Sequence, residues 1–344
     1  MKVAVNARAT DFKIGGQQRA AMEVLKRIPT VHRVTPGRPL GGMKGHFWEQ
    51  AALPLRTAGQ LLWSPSATGP VIKHNQVVTL HDTAFLDLPQ FFAPKFVAFY
   101  ERLLPVLVRR VAKVVTVSQF SRHRIAATLS LDAERIMVIE NGVSTQFRPY
   151  CADDIARTRI ALDLPERYIL LQATADKRKN LTRALLAWEE AQKSLPHEIE
   201  LVVSGNPDRS HVFGTPEALP ETGRTRFIGY VDEAHMGPLT AGAEVFLFPS
   251  LYEGFGIPIV EAMSCRTPVL TSAATATKEI AEDAALLVDP YSSEEIARGI
   301  VTLASDAALR ESLVERGIDV AAKYSWDTVA LKYRRLFEEL GATL

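Results

Sequence analysis

Short apolar runs rich in β-branched residues alternate with longer amphipathic stretches along the whole chain. Most of the runs are apolar at every position, which is typical of strands that helices cover on both faces. The stretches between them, such as 181–191 and 296–303, place apolar residues at helical spacing with charges elsewhere. We therefore predict an α/β fold with parallel sheets. The predicted strands are 3–5, 77–80, 114–117 and 136–139 in the first half, and 169–171, 199–203, 226–228, 245–248, 269–271 and 286–288 in the second.

The strand pattern lapses between residues 144 and 166, where the chain becomes polar and contains Pro149 and Pro165. We interpret this passage as the connection between two domains. The length of 344 residues agrees with two domains, since an average domain has about 150 residues. Ligands of open α/β sheets bind beyond the carboxyl ends of the strands, so we expect the site in a cleft between the two sheets.

The composition argues against several classes of protein. Lys and Arg total 40 and Asp and Glu total 39, so the net charge of +1 gives no reason to expect a nucleic-acid partner. Hydrophobic residues make up 47% of the chain, which excludes disorder as its main state. Cys151 and Cys265 are the only cysteines, too few for a disulfide framework, and no apolar stretch approaches the roughly 18 residues of a membrane span. We expect a cytoplasmic protein without a signal peptide or a metal site.

The segment 243–263 carries the most informative chemistry. It predicts a strand that ends at Pro249, then a loop with Glu253, Gly254 and Gly256, and then a helix. The unpaired amides at a helix N-terminus favour an anion, and glycines let a phosphate approach the backbone closely. The segment therefore predicts a phosphate site.

Two carboxylates accompany this helix N-terminus. Glu253 precedes the helix and Glu261 lies about one turn inside it. Carboxylates accept hydrogen bonds from paired hydroxyls, such as those of a ribose or a hexose, so the two acids can address different parts of one ligand. A purely structural alternative stays open: an acid that the helix dipole favours, beside a glycine turn.

Polar residues also follow two of the strands predicted in the first half. His81 comes directly after 77–80, so we expect it at the carboxyl end of a strand, facing the cleft. Asp82 either supports a neighbouring side chain or caps the loop. Ser118 follows 114–117, where it either contacts an acceptor or caps the next helix.

Motifs spread over most of the chain resemble one known family. The pattern S-L-Y-E-G-F-G-I-P-I-V-E-A-M at 250–263 is similar to the signature of retaining glycosyltransferases of family 4. This resemblance implies the GT-B architecture, two Rossmann-like lobes whose parallel sheets face a central cleft. Further elements occur where the family has its counterparts: Gly15-Gly16, His81-Asp82, the segment that begins at Ser118, and Arg178-Lys179-Asn180.

The resemblance also implies the domain boundaries. Residues 1–143 and 325–344 are expected to form an N-terminal, acceptor-side lobe, to which the helical pattern at 326–340 returns. Residues 144–324 are expected to form a C-terminal lobe that binds the nucleotide sugar.

The same resemblance implies roles for individual residues. Glu261 is expected to hold the ribose hydroxyls, while Glu253 contacts the donor sugar and His81 lies near the reacting centre. Fixed cations would stabilise the charge that a departing diphosphate gains as the sugar bond breaks. The residues expected at the diphosphate are Arg178, Lys179, Gly15, Gly16, Gly254, Phe255 and Gly256.

The implied reaction is transfer of a hexose with retention of anomeric configuration. Our first choice is mannose from GDP-mannose, moved onto a saccharide or lipid-linked saccharide in surface polysaccharide or O-antigen synthesis. A UDP- or dTDP-linked donor is the runner-up, followed by a sugar-nucleotide epimerase and a catalytically silent nucleotide-sugar-binding subunit. We expect no cofactor and no metal, and the chain contains neither an Asp-x-Asp pair nor a P-loop.

The stretch 95–113 mixes apolar and basic residues, and it has two interpretations. A core helix with basic solvent positions is favoured. The alternative is contact with an anionic membrane surface, which would make the protein peripheral at the inner face of the membrane.

Overall fold

The computed structural model describes residues 1–11, 15–174, 176–205 and 219–344. The chain forms two compact units. The first comprises Met1–Pro89, Pro94–Gly142 and Ser325–Leu344, and the second comprises Gln90–Ala93 and Val143–Tyr324. Each unit contains a six-stranded parallel sheet, which confirms the α/β fold with parallel sheets.

The described strands are short and mostly buried. They are β1 Val3–Asn6, β2 His32–Val34, β3 Leu61–Ser64, β4 Gln76–Thr79, β5 Lys113–Thr116, β6 Ile136–Val138, β7 Arg167–Gln172, β8 Ile199–Ser204, β9 Thr225–Gly229, β10 Val245–Phe248, β11 Val269–Ser272 and β12 Ala285–Val288.

Helices separate most of these strands, as the alternating pattern predicts. They are α1 Gly16–Arg27, α2 Gly42–Arg56, α3 Ala84–Asp87, α4 Pro94–Arg110, α5 Gln119–Leu129, α6 Ala152–Ala161, α7 Leu181–Ala191, α8 Glu233–Ala241, α9 Ile257–Ser264, α10 Thr275–Ala281, α11 Ser293–Ser305, α12 Ala307–Ala322 and α13 Trp326–Glu339. Within the described ranges, no helix is both long enough and apolar enough to cross a membrane.

The sheet of the first unit has the order β2-β1-β3-β4-β5-β6. One face of this sheet is covered by α1 and α13, whose apolar side chains share a core with β1, β3 and β4. In that core, Thr79 Oγ1 lies 3.0 Å from the hydroxyl of Tyr333 and accepts a hydrogen bond of 3.0 Å from Trp63 Nε1. The last helix of the chain therefore belongs to the same unit as the first strand.

The sheet of the second unit has the order β12-β11-β10-β7-β8-β9. The chain starts in the middle at β7, proceeds outward to β9, and returns to the centre to begin β10 on the other side. This is the doubly wound Rossmann order, and its topological switch point lies between β7 and β10. The long segment of this unit begins and ends at one place, where the amide of Val143 donates to the carbonyl of Tyr324 at 3.2 Å.

Two details differ from the predicted elements. Strands β2 and β3 were not predicted. β2 is a polar edge strand without an apolar pattern, whereas β3 is a buried strand of the same length as several that were predicted. The polar passage 144–166 contains the helix α6, in which Asp153 and Asp154 occupy the first turn and Arg159 the last. These charges complement the helix dipole and stabilise the helix. Its apolar residues show little helical periodicity, so the pattern did not predict it.

Candidate functional site

The loops after β7 and β10 lie at the switch point of the second unit, where an open α/β sheet binds its ligands. The first loop continues into a 3₁₀ turn at Lys177–Lys179, and the second leads to α9. The two loops carry the predicted residues Arg178, Lys179, Glu253, Gly254, Phe255 and Gly256.

The guanidinium of Arg178 is held by a buried carboxylate. Asp176 Oδ2 accepts hydrogen bonds from Arg178 Nη2 at 2.6 Å and Nε at 3.0 Å, and Asp176 Oδ1 accepts from the Arg178 amide at 3.0 Å. Asp176 therefore caps the 3₁₀ turn and fixes the direction of the Arg178 side chain at the same time. Sequence reasoning did not assign Asp176 a role, although an acid two residues before an arginine in a turn is a common local cap.

Lys179 and Glu253 join the two loops through an ion pair. Lys179 Nζ lies 2.7 Å from Glu253 Oε1 and 4.8 Å from the centre of the Phe248 ring, and both charged side chains are partly buried. The structure therefore brings together two residues that the resemblance assigns to the diphosphate and to the sugar. These are adjacent parts of a nucleotide sugar.

The side chain of Asn180 also links the two loops, because it binds backbone carbonyls. Its side-chain amide donates to the carbonyl of Pro249 at 2.9 Å and to that of Pro290 at 2.7 Å, so one buried residue links the loops after β7, β10 and β12. Its φ of 59° is left-handed, a conformation that asparagine tolerates better than most residues. Sequence analysis noted Asn180 in its motif but gave it no role.

The start of α9 requires a glycine. Gly256 is the N-cap with a φ of 102°, and a Cβ there would lie 3.0 Å from Ile259 Cδ1. Phe255 is buried and meets the Tyr324 ring edge-on at 5.3 Å, so its side chain belongs to the core. Gly254 lies between Glu253 and this buried ring in the loop. Glu261 is buried one turn inside α9, where the sequence places it.

Cys265, one turn beyond Glu261, is not a reactive thiol. Burial, with a smaller contribution from the Glu261 carboxylate, raises the pKa of Cys265 to about 12. The thiol is therefore protonated at neutral pH and acts as an apolar group beside the candidate ribose residue.

In the first unit, His81 follows β4 at the carboxyl edge of the sheet, as predicted. Its Nε2 lies 3.1 Å from the carbonyl oxygen of Pro65. A carbonyl only accepts, so Nε2 carries the hydrogen and Nδ1 is left as an acceptor. Burial lowers the pKa of His81 despite the opposing effects of this bond and of Asp82, and the imidazole is neutral at pH 7.

Asp82 and Ser118 cap local structure. Asp82 Oδ1 accepts from the amide of Ala84 at 3.0 Å, and Ser118 Oγ accepts from the amide of Ser121 at 3.0 Å as the N-cap of α5. Gly15 is the N-cap of α1 with an ordinary negative φ, and its amide donates to Gln18 Oε1 at 3.1 Å. A Cβ at Gly16 would meet no described atom within 4 Å, so packing against the described residues does not require a glycine there.

The described residues offer no metal site. Across residues 1–11, 15–174, 176–205 and 219–344, no cluster of three or more His, Cys, Asp or Glu side chains could hold a metal ion. At the switch point, two cations of the 3₁₀ turn are each paired with a carboxylate, Arg178 with Asp176 and Lys179 with Glu253.

Solved structures show which architecture the chain has. Sucrose-phosphate synthase from Thermosynechococcus elongatus matches with a TM-score of 0.76 at 19% identity and covers 99% of both chains. HepE from Anabaena, in complex with UDP and glucose, matches with a TM-score of 0.75 at 18% identity over 98% of this chain and all of the other. The fold is that of GT-B glycosyltransferases.

Sequence comparisons identify the family. Residues 153–320 match the model of glycosyl transferases group 1, and residues 59–147 match that of glycosyltransferase family 4. O-antigen chain mannosyltransferase B of Escherichia coli is 30% identical over 257 residues, which cover 73% of this chain and 67% of that protein. The chain belongs to the family 4 glycosyltransferases.

Other relatives are similar over different shares of their length. O-antigen chain mannosyltransferase RfbU of Salmonella typhimurium is 27% identical over 79% of this chain and 72% of its own length. Serotype-specific mannosyltransferase WbdA of Escherichia coli is 26% identical over 69% of this chain, and the match spans only 30% of that longer protein.

Proposed function

We propose that this glycosyltransferase moves mannose from GDP-mannose onto a saccharide or lipid-linked saccharide, with retention of configuration, in surface polysaccharide synthesis. The observation that carries the proposal is the ion pair of Lys179 and Glu253, 2.7 Å apart at the switch point of the second unit. The mannosyltransferase names of the relatives from Escherichia coli and Salmonella typhimurium support the choice of sugar.

Two of the three cations in the turn Lys177–Lys179 are paired with carboxylates, Arg178 with Asp176 and Lys179 with Glu253. A diphosphate offers Lys179 a more highly charged partner than one carboxylate. Donor binding then releases Glu253, whose oxygens accept hydrogen bonds from sugar hydroxyls. The exchange couples arrival of the diphosphate to formation of the sugar contact.

The remaining residues contact different parts of the donor. Glu261 accepts from the ribose hydroxyls, and the amides of Gly254, Phe255 and Gly256 donate to the diphosphate beside the N-terminus of α9. Gly15 and Gly16 supply backbone that a phosphate can approach closely. His81 contacts the sugar in its neutral form through Nδ1, which is left as an acceptor.

In the proposed transfer, the bond between the anomeric carbon and the diphosphate oxygen breaks on the face where the acceptor attacks. The departing phosphate takes the proton of the acceptor hydroxyl, and the new glycosidic bond forms on the same face. Arg178 and Lys179 stabilise the charge that grows on the leaving diphosphate. No side chain needs to form a covalent sugar intermediate.

The donor is identified by a thermal-shift screen with GDP-mannose and with UDP-, dTDP- and ADP-linked sugars. We expect GDP-mannose to raise the melting temperature most, because at equal concentration the ligand that binds the folded state most tightly stabilises it most. A larger shift with a UDP- or dTDP-sugar would overturn the choice of donor. NMR of the product's anomeric proton tests retention, and EDTA should leave turnover unchanged if no metal takes part.

Two rival functions give different results in the same assays. A sugar-nucleotide epimerase would convert the donor to its epimer without any acceptor. A catalytically silent binding subunit would bind the donor and transfer no sugar. Transfer of mannose by the isolated chain therefore supports our proposal over both rivals.

We place the reaction in the cytoplasm, at the inner face of the membrane. The exposed free thiol of Cys151 supports a reducing compartment. A lipid-linked acceptor would be reached there by a protein bound at the membrane surface. Fractionation of cells that express the tagged chain tests this location.

A further inference from the structure

Thr275, the first residue of α10, has a left-handed backbone. Its φ is 57°, a value that β-branched residues rarely adopt, because the branched side chain crowds the backbone. Glycine would take this conformation at little cost, yet the chain has threonine there. Strained residues persist where surrounding contacts hold them, and they cluster at functional sites. The contacts of Thr275 therefore indicate what its strained backbone maintains.

Those contacts are made with the backbone of Glu253. The Oγ1 of Thr275 accepts a hydrogen bond of 3.3 Å from the Glu253 amide, and the amide of Ala276 donates to the Glu253 carbonyl at 3.4 Å. Two consecutive residues after β11 thus bind the peptide groups on both sides of the Glu253 Cα. The carboxylate that we assign to the donor sugar is therefore carried by a backbone that α10 holds at its first turn.

Hydroxyl groups make similar contacts from β11 itself. Thr271 Oγ1 donates to the carbonyl of Phe248 at 2.8 Å, and Ser272 Oγ donates to that of Ser250 at 2.6 Å. Side chains of β11 therefore bind the backbone at the end of β10 and in the loop that follows it. Thr275 continues this series of contacts along the loop as far as Glu253.

These backbone contacts matter most after the donor has bound. In the structure, the side chain of Glu253 is held by its ion pair with Lys179. Under the proposed function, on which this inference rests, Lys179 pairs with the diphosphate and releases the Glu253 carboxylate to the sugar. The position of the carboxylate then depends on the backbone that Thr275 binds. A group misplaced by about 1 Å can cost about 100-fold in rate.

We propose that Thr275 is a positioning residue for the transfer reaction: its hydroxyl holds the backbone of Glu253 so that the carboxylate meets the donor sugar. Thr275 acts through Glu253 and not through a donor contact of its own. Its left-handed backbone lowers the stability of the fold, and the contact with Glu253 is the gain for which the strain is kept.

Substitutions at Thr275 separate the hydroxyl from the strain. Thr275→Gly removes both, Thr275→Val removes the hydroxyl but keeps a β-branched side chain, and Thr275→Ser keeps the hydroxyl. We expect the Gly and Val variants to lose about tenfold or more in kcat, with donor affinity changed less than about twofold, and the Ser variant to keep kcat within about twofold. Thr275→Gly should melt no lower than the unmodified chain, and Thr275→Val should melt below Thr275→Gly.

The matched control is Arg266→Gly. Arg266 is exposed just before β11 and has a φ of 62°, so glycine relieves the same kind of strain away from Glu253. We expect kcat to be unchanged in this variant. A double-mutant cycle tests whether Thr275 acts through Glu253: in the Glu253→Ala background, Thr275→Gly should not lower kcat further.

Undiminished kcat in the folded Gly variant would overturn the proposal, as would a loss in Thr275→Ser as large as that in Thr275→Gly. Hydrogen exchange of the Glu253 amide, measured by NMR, needs no catalysis. Faster exchange in the Gly and Val variants but not in the Ser variant supports the contact, and equal rates in all of them refute it. If the chain transfers no sugar from any donor, the proposed function fails, while the exchange rates still decide whether Thr275 holds Glu253.

Discussion

The ammonium of Lys179 lies 2.7 Å from the carboxylate of Glu253, and the pair joins the loop after β7 to the loop after β10. Under our proposal the two residues act on different parts of the donor, so their substitutions should have different kinetic effects. Glu253→Ala should lower kcat about 100-fold or more, because it removes a contact to the reacting sugar. Turnover unchanged in the folded variant would remove Glu253 from the site.

Lys179→Ala is the partner experiment. We expect it to raise the dissociation constant of GDP-mannose about tenfold or more, since it removes a charge-assisted contact to the diphosphate. Isothermal titration calorimetry measures the change, with Lys193→Ala as control because Lys193 pairs with Glu190 on the exposed surface. Equal donor affinity in both variants would contradict the assigned role.

Asn180 should matter for stability as well as for the site. Asn180→Ala removes two buried hydrogen bonds, to Pro249 and Pro290, and leaves two carbonyls without this donor. We expect a loss of about 2 kcal/mol or more in the free energy of unfolding, measured by urea denaturation. Asn180→Asp keeps the size of the side chain but cannot donate, so a comparable loss there would assign the effect to the hydrogen bonds.

The ion pair of Arg8 and Glu49 should be among the most sensitive positions of the first unit. Both side chains are almost fully buried, and Glu49 also accepts from Asn6 Nδ2 at 2.7 Å. Glu49→Ala leaves Arg8 buried without its carboxylate, which should cost about 3–5 kcal/mol of unfolding free energy. Glu338→Ala breaks an exposed pair with Arg334 and should cost about 0–1 kcal/mol. Similar losses in the two variants would contradict this difference.

His81 should make the protein sensitive to mild acid. Its folded pKa lies below the ordinary value of 6.5, so the unfolded chain binds the proton first as the pH falls. The free energy of unfolding is unaffected by this group above pH 6.5 and decreases below it, towards the folded pKa. Urea denaturation at several pH values should show a smaller decrease in His81→Gln, and identical pH profiles would refute the assignment.

The two sheets could be predicted where apolar residues cluster in a strand that a turn or helical pattern follows. β7, β8 and β10 are of this kind, and the motif after β10 places Glu253 and Gly256 in a loop before a helix. β2 escaped prediction because an edge strand with His32 and Arg33 has no apolar pattern. The strands and the loop predicted from the sequence therefore agree well with the structure at the switch point.

The partners of the charged residues could not be predicted. Arg8 and Glu49 are 41 residues apart, and their pairing depends on how α2 packs beside β1. The pairing of Lys179 with Glu253 spans 74 residues and depends on the order of β7 and β10 in the sheet. Sequence analysis assigned Lys179 and Glu253 to the donor and gave Arg8 and Glu49 no role, because such pairings arise only in the folded protein.

The hydrogen bond between Val143 and Tyr324 places the two ends of the long segment of the second unit side by side. A module whose ends meet can be exchanged without stretching the chain around it. Grafting residues 143–324 from one member of the family into another thus needs only two junctions, a single peptide unit apart in space. Under the proposed function, such chimaeras would take their choice of donor from the grafted unit and keep the first unit of the recipient.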